Sequence, residues 1–320
     1  METATKVLLI VAACLIVLGS LLFVTVMSVA KWDFTVLGAK YETIVYTPSA
    51  DFNSISVNTD TADVFFAPSE DESCRVVCLE QEKVTHSVTV ADGVLCIQLV
   101  DNRAWYEHIS IFTKASTVTV YLPKSEYASL SVKADTSDVE IPKGFKFGDI
   151  EVCVSTGDVR CLASSSNGTK IVTSTGNILV EDVSAGALNL TAGTGDITAK
   201  SVNCGGDVSV NVSTGKVRFT DVTCKNLTSS GGTGDITLTN AIASENFSIE
   251  RSTGDVTFDG CDASSLTVKT GTGDVRGALL TEKIFFTSTS TGTVNVPKCT
   301  SGGTCDIATS TGDITIEIKL

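Results

Sequence analysis

The chain has 320 residues, with 37 acidic against 23 basic side chains and a formal charge of −14. That balance excludes a nucleic-acid binder, which needs basic surface to neutralise phosphates. A hydrophobic content of 42% excludes a disordered chain, and two histidines leave little scope for imidazole chemistry.

The first predicted element is apolar. Val7 to Ala30 runs 24 residues without a charge, about 36 Å as a helix, against a hydrocarbon core of roughly 30 Å. The expected division is a short cytoplasmic end at 1–6, a transmembrane anchor at 7–30 and a juxtamembrane linker at 31–40. Lys31, Trp32 and Phe34 of the linker suit the headgroup zone. Ser28-Val29-Ala30 also has the small-residue spacing of a cleavage site. The apolar run exceeds the roughly 7–15 residues of a signal core, which favours a retained anchor. With little chain before it, the expected orientation is N-terminus inside and C-terminal bulk outside.

Residues 41–146 form an irregular β region. Ser87 to Leu99 predicts an antiparallel hairpin turning at Asp92-Gly93. Phe52 to Val57 and Thr117 to Leu122 predict further strands, the latter stopped by Pro123. Two degenerate pentads, at Thr61–Val64 and Thr136–Val139, lie 75 residues apart. The first coil is therefore expected to carry the hairpin as an insertion and to cap the solenoid. His86 and His108 fall in this region and are expected as exposed polar side chains.

From 147 to 320 one pentad recurs nine times, as STGDV, GTGDI and close variants. Its glycines are Gly157, Gly176, Gly195, Gly215, Gly234, Gly254, Gly273, Gly292 and Gly312, spaced by 19 or 20. Two residues after each stands Val or Ile, and the flanking apolar residues alternate with polar ones, the period of half-buried strands. A unit this short must bury its apolar side against its neighbours. The prediction is an all-β fold: a β-solenoid, or parallel β-helix, of 19–20-residue coils, right-handed by the crossover rule. The pentad glycine fits a turn needing positive φ. The last coil, ending on Thr315–Leu320, is expected to finish without a cap, its edge discouraged from pairing by Glu317 and Lys319.

The lone N-terminal anchor, FNSISVNTDTADVFF, VTVYLP and the STGDV/GTGDI pentads together resemble the "putative adhesin" family of bacterial membrane-anchored β-strand-repeat proteins, over Phe52 to Ile318 and the anchor. The resemblance implies a surface-exposed solenoid, often encoded near envelope-stress regulators. It implies no catalytic site.

Candidate chemistry is sparse. The residue after each pentad glycine is mostly Asp, and Asp235, Asp255 and Asp274 occupy successive coils. Their expected role is to accept turn N–H groups. The alternative is Ca²⁺, which wants 6–8 oxygens and would find thin supply. Cys204 and Cys224 share one register in successive coils, within reach of a disulfide. Cys161, Cys261, Cys299 and Cys305 fall on inward columns. Arg251, in an inward-phase position, is expected to be structural, reaching out by its stem.

These residues predict a non-catalytic, membrane-anchored surface β-solenoid, an adhesin or a structural or stress-response component of the cell envelope. No cofactor is expected. The partners would be the membrane, through 7–30, and an envelope protein or surface ligand. Alternatives are a polysaccharide-active β-helix enzyme and a calcium-binding repeat protein.

Overall fold

A computed structural model describes residues 2–29, 31–32, 40–104 and 116–319. Phe34 and His108 lie outside the described residues. Helix α1 (Glu2–Val29) contains an apolar span, Thr5–Val29, long enough to cross a membrane. Every residue of that span except Met27 is exposed.

Nine strands precede the regular repeats: β1 (Tyr41–Tyr46), β2 (Ser54–Thr59), β3 (Ala62–Pro68), β4 (Arg75–Gln81), β5 (Val84–Ala91), β6 (Val94–Asp101), β7 (Ser116–Leu122), β8 (Glu126–Thr136) and β9 (Val139–Ile141). The first regular coils follow as β10 (Lys146–Thr156), β11 (Val159–Cys161), β12 (Ser164–Thr175), β13 (Ile178–Ala185), β14 (Leu188–Thr194), β15 (Ile197–Cys204) and β16 (Val208–Thr214). Two long strands that each round a corner come next, β17 (Val217–Thr233) and β18 (Ile236–Thr253). The chain closes with β19 (Val256–Cys261), β20 (Ser265–Thr272), β21 (Val275–Leu279), β22 (Lys283–Thr291), β23 (Val294–Asn295), β24 (Gly303–Thr311) and β25 (Ile314–Ile318).

The expected β-solenoid is the fold. In each coil one strand ends on the pentad threonine, the glycine turns, and the next strand opens on the Val or Ile. Equivalent residues pair in parallel one repeat apart: Ile178 with Ile197, Ile197 with Val217, and Val217 with Ile236. The Val/Ile column is buried from Val159 to Val275 and at Ile314. Full burial of each such side chain contributes about 1.5–3 kcal/mol. Two positions further on, bulk alternates, with Ala199, Phe219, Leu238, Phe258 and Gly277 filling one seam.

The pentad glycines have φ between 132° and 153° in the coils from Gly157 to Gly312. Positive φ is only half the reason for glycine. A Cβ on Gly195 would lie 2.0 Å from the carbonyl oxygen of Gly176 in the coil beneath, so each turn stacks backbone on backbone.

A second corner has a register of its own. Six residues beyond the glycine, Asp182, Ser201, Asp221, Asn240 and Gly260 all have φ between 51° and 65°. Asn and Asp tolerate the left-handed region better than other side-chain-bearing residues. Asn240 Nδ2 donates to Asp221 Oδ1 (2.9 Å), tying two of these corners together.

The two ends depart from coil-by-coil order. β20 pairs with β24 rather than β22, and β24 pairs with β22 on its other side. β21 likewise pairs with β25, and β25 with β23. The strands at 303–318 are therefore the penultimate layer, and those at 283–295 the last. This corrects the expectation of a final coil at 315–320: the outermost layer is 283–295, and β23 covers β25 only at Ile314 and Thr315, so Glu317 lies on a stretch with no strand paired beyond it among the described residues. Val294 is exposed because no strand stacks beyond it among the described residues. Cys299 lies in the connection between the two coils, half-buried, and not on an inward column.

The other end is interleaved too. β2 and β3 pair with β8 and β9 at an offset of 75 residues, and with β6 and β7 on the opposite side. β5 then pairs antiparallel with β6 through the Asp92-Gly93 turn, while β4 and β1 add antiparallel strands beside β7.

Candidate functional site

Where β4 meets β5 the two ladders touch at a tight connection, Gln81 pairing with Val84. Cys78 and Glu80 sit two apart on β4 and so share a face. His86 reaches them from β5. Glu80 is 2% exposed, His86 3% and Cys78 fully buried. The expectation that His86 is an exposed polar side chain is thus overturned. The antiparallel cap folds over it, and its place in phase with Val84 and Val88, on the inner face of β5, is the sequence signal of that burial.

The contacts are specific. The backbone N–H of His86 donates to Glu80 Oε1 at 2.6 Å, and His86 Nδ1 lies 3.0 Å from the same oxygen. His86 Nε2 lies 3.1 Å from Thr59 Oγ1, at the end of β2. The Tyr46 hydroxyl donates to the His86 carbonyl at 2.8 Å. Glu80 Oε2 is buried without a hydrogen-bond partner. Burial, and then the adjacent Glu80 charge, push the Cys78 thiol up to about 12. Burial lowers the His86 pKa against the opposing pull of Glu80. Cys78, Glu80 and His86 place one potential ligand atom each within 4.8 Å of one another.

The aspartate column has a different use. Each Oδ1 accepts the backbone N–H of the equivalent residue one coil along: Asp138 to Asp158 (2.8 Å), Asp158 to Asn177 (2.7 Å), Asn177 to Asp196 (2.9 Å) and Asp196 to Lys216 (2.8 Å). Lys216 has no acceptor to offer, so the ladder lapses for one step, and its Nζ instead meets Asp235 Oδ2 at 3.3 Å. The ladder resumes from Asp235 to Asp255 (3.2 Å), Asp255 to Asp274 (2.9 Å) and Asp274 to Asp313 (2.8 Å). Asp313 passes it to Thr293, repeating the interleaved order of the strands.

The three calcium candidates therefore have prior engagements. One oxygen of each holds a backbone N–H, and the other faces a cation. For Asp235 that cation is Lys216, and for Asp255 and Asp274 it is Arg276, at 3.4 and 3.7 Å. Cys204 and Cys224 occupy neighbouring coils, both buried and both free thiols. Each sulfur points at a carbonyl, Cys204 at Asp207 (3.5 Å) and Cys224 at Ile242 (3.9 Å).

Arg251 is more deeply placed than a stem reaching for water would be. It is 2% exposed, and Nη1 donates to the Val212 carbonyl at 2.9 Å in the space left by Gly231. Its Nε and Nη2, and Ser229 Oγ two residues along the paired strand, have no hydrogen-bond partner among the described residues. Lys283 is a buried cation that sequence reasoning missed, and its Nζ lies 2.7 Å from Asp262 Oδ1.

One open cleft, of about 580 Å³, lies against β8, β10 and β12. Its lining mixes the serines Ser164, Ser166 and Ser184 with the rings of Tyr127 and Phe147 and the Glu126–Lys146 pair, 3.5 Å apart.

The family described as Toastrack DUF4097 matches residues 52–208 and 203–320. No curated protein matches the chain. Among solved structures, a putative adhesin from Bacteroides fragilis NCTC 9343 is 16% identical, with 88% of this chain and 97% of that one covered and a TM-score of 0.41. Two proteins from Parabacteroides distasonis ATCC 8503 have TM-scores of 0.47: a putative lipid binding protein (14% identity, 88% and 99% covered) and a putative adhesin (15%, 87% and 97%).

Proposed function

We propose, from the premise that this chain belongs to the Toastrack DUF4097 family, that it is a non-catalytic, membrane-tethered β-solenoid displayed on the cell surface, acting in adhesion or as a structural or stress-response part of the envelope. The observation that carries this reading is how the polar groups of the repeats are used. The aspartates bond the next coil, and the outward charges pair along the stack, as in Lys170–Glu151 and Lys200–Glu181, both 3.0 Å. Such exposed pairs contribute only about 0–1 kcal/mol each, and they leave the outward charges matched along the stack instead of converging on a cleft. The exposed apolar span Thr5–Val29 supports tethering, and the expected orientation places the solenoid outside.

Protease treatment of intact cells carrying a C-terminally tagged chain tests the display. The expected result is loss of the tag, with crosslinking then recovering a surface ligand or an envelope protein. A tag cut only after permeabilisation would put the solenoid on the inner face and end the adhesion reading.

A further inference from the structure

We propose that the N-terminal cap is a zinc site formed by Cys78 Sγ, Glu80 Oε2 and one imidazole nitrogen of His86. Sulfur, nitrogen and carboxylate oxygen together suit a borderline-soft divalent ion, and Zn²⁺ in particular. Three such atoms within 4.8 Å of one another, all buried, are a donor set and not a surface cluster.

Two independent features point to an ion. Glu80 Oε2 is buried with no hydrogen-bond partner, while Oε1 of the same carboxylate is held by the His86 backbone. An unpaired carboxylate oxygen in a buried site is costly, and a metal ion satisfies it. If Thr59 Oγ1 accepts from His86 Nε2, Nδ1 carries the lone pair and faces Glu80 Oε1 at 3.0 Å, a repulsive contact that a cation held by Nδ1 relieves. The Thr59 contact is the outer-shell support expected of a metal-binding imidazole.

The charges also close. Zn²⁺ entering the site displaces one proton from Cys78, and the thiolate and the Glu80 carboxylate then neutralise the ion. An open cleft of about 430 Å³ reaches Glu80, lined also by Glu42, Glu82, Lys40 and Lys83, while Cys78 and His86 lie behind it. Because Cys78 and Glu80 belong to β4 and His86 to β5, the ion would staple together two strands that otherwise pair only at Gln81 and Val84.

The test uses the full chain in detergent, stripped with chelator and titrated with Zn²⁺ against a chromogenic competitor. One ion per chain is expected, with X-ray absorption of the wild-type complex showing a single sulfur at about 2.3 Å and nitrogen or oxygen ligands at about 2.0–2.2 Å. Cys78→Ser should remove the sulfur and weaken binding by more than the roughly 10–100-fold that a lost supporting group costs. Thr59→Val should weaken it within that range, and Cys74→Ser should bind as the wild type does. A zinc shell without sulfur, unchanged affinity in Cys78→Ser, or no stoichiometric binding would overturn the assignment. If Cys78→Ser fails to fold, Glu80→Gln takes its place, and the wild-type absorption spectrum decides in either case.

Discussion

Single residues in this solenoid are constrained by what lies one coil away more than by their sequence neighbours. Gly195 illustrates this. Its φ of 145° and the 2.0 Å approach of a Cβ to the Gly176 carbonyl act together. Gly195→Ala is expected to cost about 3 kcal/mol, combining backbone strain with overpacking of a main-chain contact. Chemical denaturation with a two-state fit reads that loss. Arg251 runs the other way. Its guanidinium keeps one hydrogen bond while Nε and Nη2 find no partner among the described residues, and burial lowers its pKa. Replacing buried charge by an apolar side chain of similar length is often stabilising, by about 1–4 kcal/mol. Arg251→Met should therefore raise the melting temperature, whereas a lower one would mean that the guanidinium has a partner worth keeping.

The elements stack in an order that differs from their order in the chain. β24 and β25 fill the layer between β20–β21 and β22–β23, β24 paired on both sides along its length and β25 on both sides at Ile314 and Thr315. Ending the chain after residue 295 should thus do more harm than ending it after residue 280. The longer product keeps β22 and β23 but takes away the layer they rest on, while the shorter one loses complete outer layers. Melting temperature and soluble yield of the two truncations measure this, and a shorter product that is the less stable would contradict the interleaving. The stacking unit itself was legible in the sequence, because the pentads at 19–20 residues and the Val/Ile columns report inter-coil contacts directly. Interleaving was not, since all coils share one pattern and a coil at 303–318 fits either slot equally well. The left-handed corners were legible in principle, as Asp182, Ser201, Asp221 and Asn240 are turn-forming residues in a single register. The Cys78–Glu80–His86 cluster was not, because its three residues meet only through antiparallel pairing at the cap, where no repeat constrains the register.

At the scale of the whole molecule, the aspartate ladder links nearly every coil and makes stability depend on acid. The Thr293 backbone N–H, followed by its hydroxyl, holds Asp313 below the ordinary carboxylate range. The Asp255 N–H does the same for Asp235, with Lys216 assisting against partial burial. Groups whose folded pKa is depressed stabilise the protein above their unfolded value, about 3.9, and that contribution is lost as pH falls through the folded value. Below the isoelectric point, near 4.5, the basic side chains also begin to repel without counter-charge. Both effects have the same sign, so melting temperature should hold between about pH 5 and 7 and fall steeply below about pH 4. A flat profile down to about pH 3 would mean that the ladder contributes little. The interleaved end has a separate consequence for biosynthesis. Residues 283–295 leave the ribosome before the layer that must lie beneath them, so they cannot dock where they finally belong until residue 318 has followed. The solenoid is therefore closed by insertion and not by accretion, and once closed β24 cannot leave without parting from β20 on one side and β22 on the other.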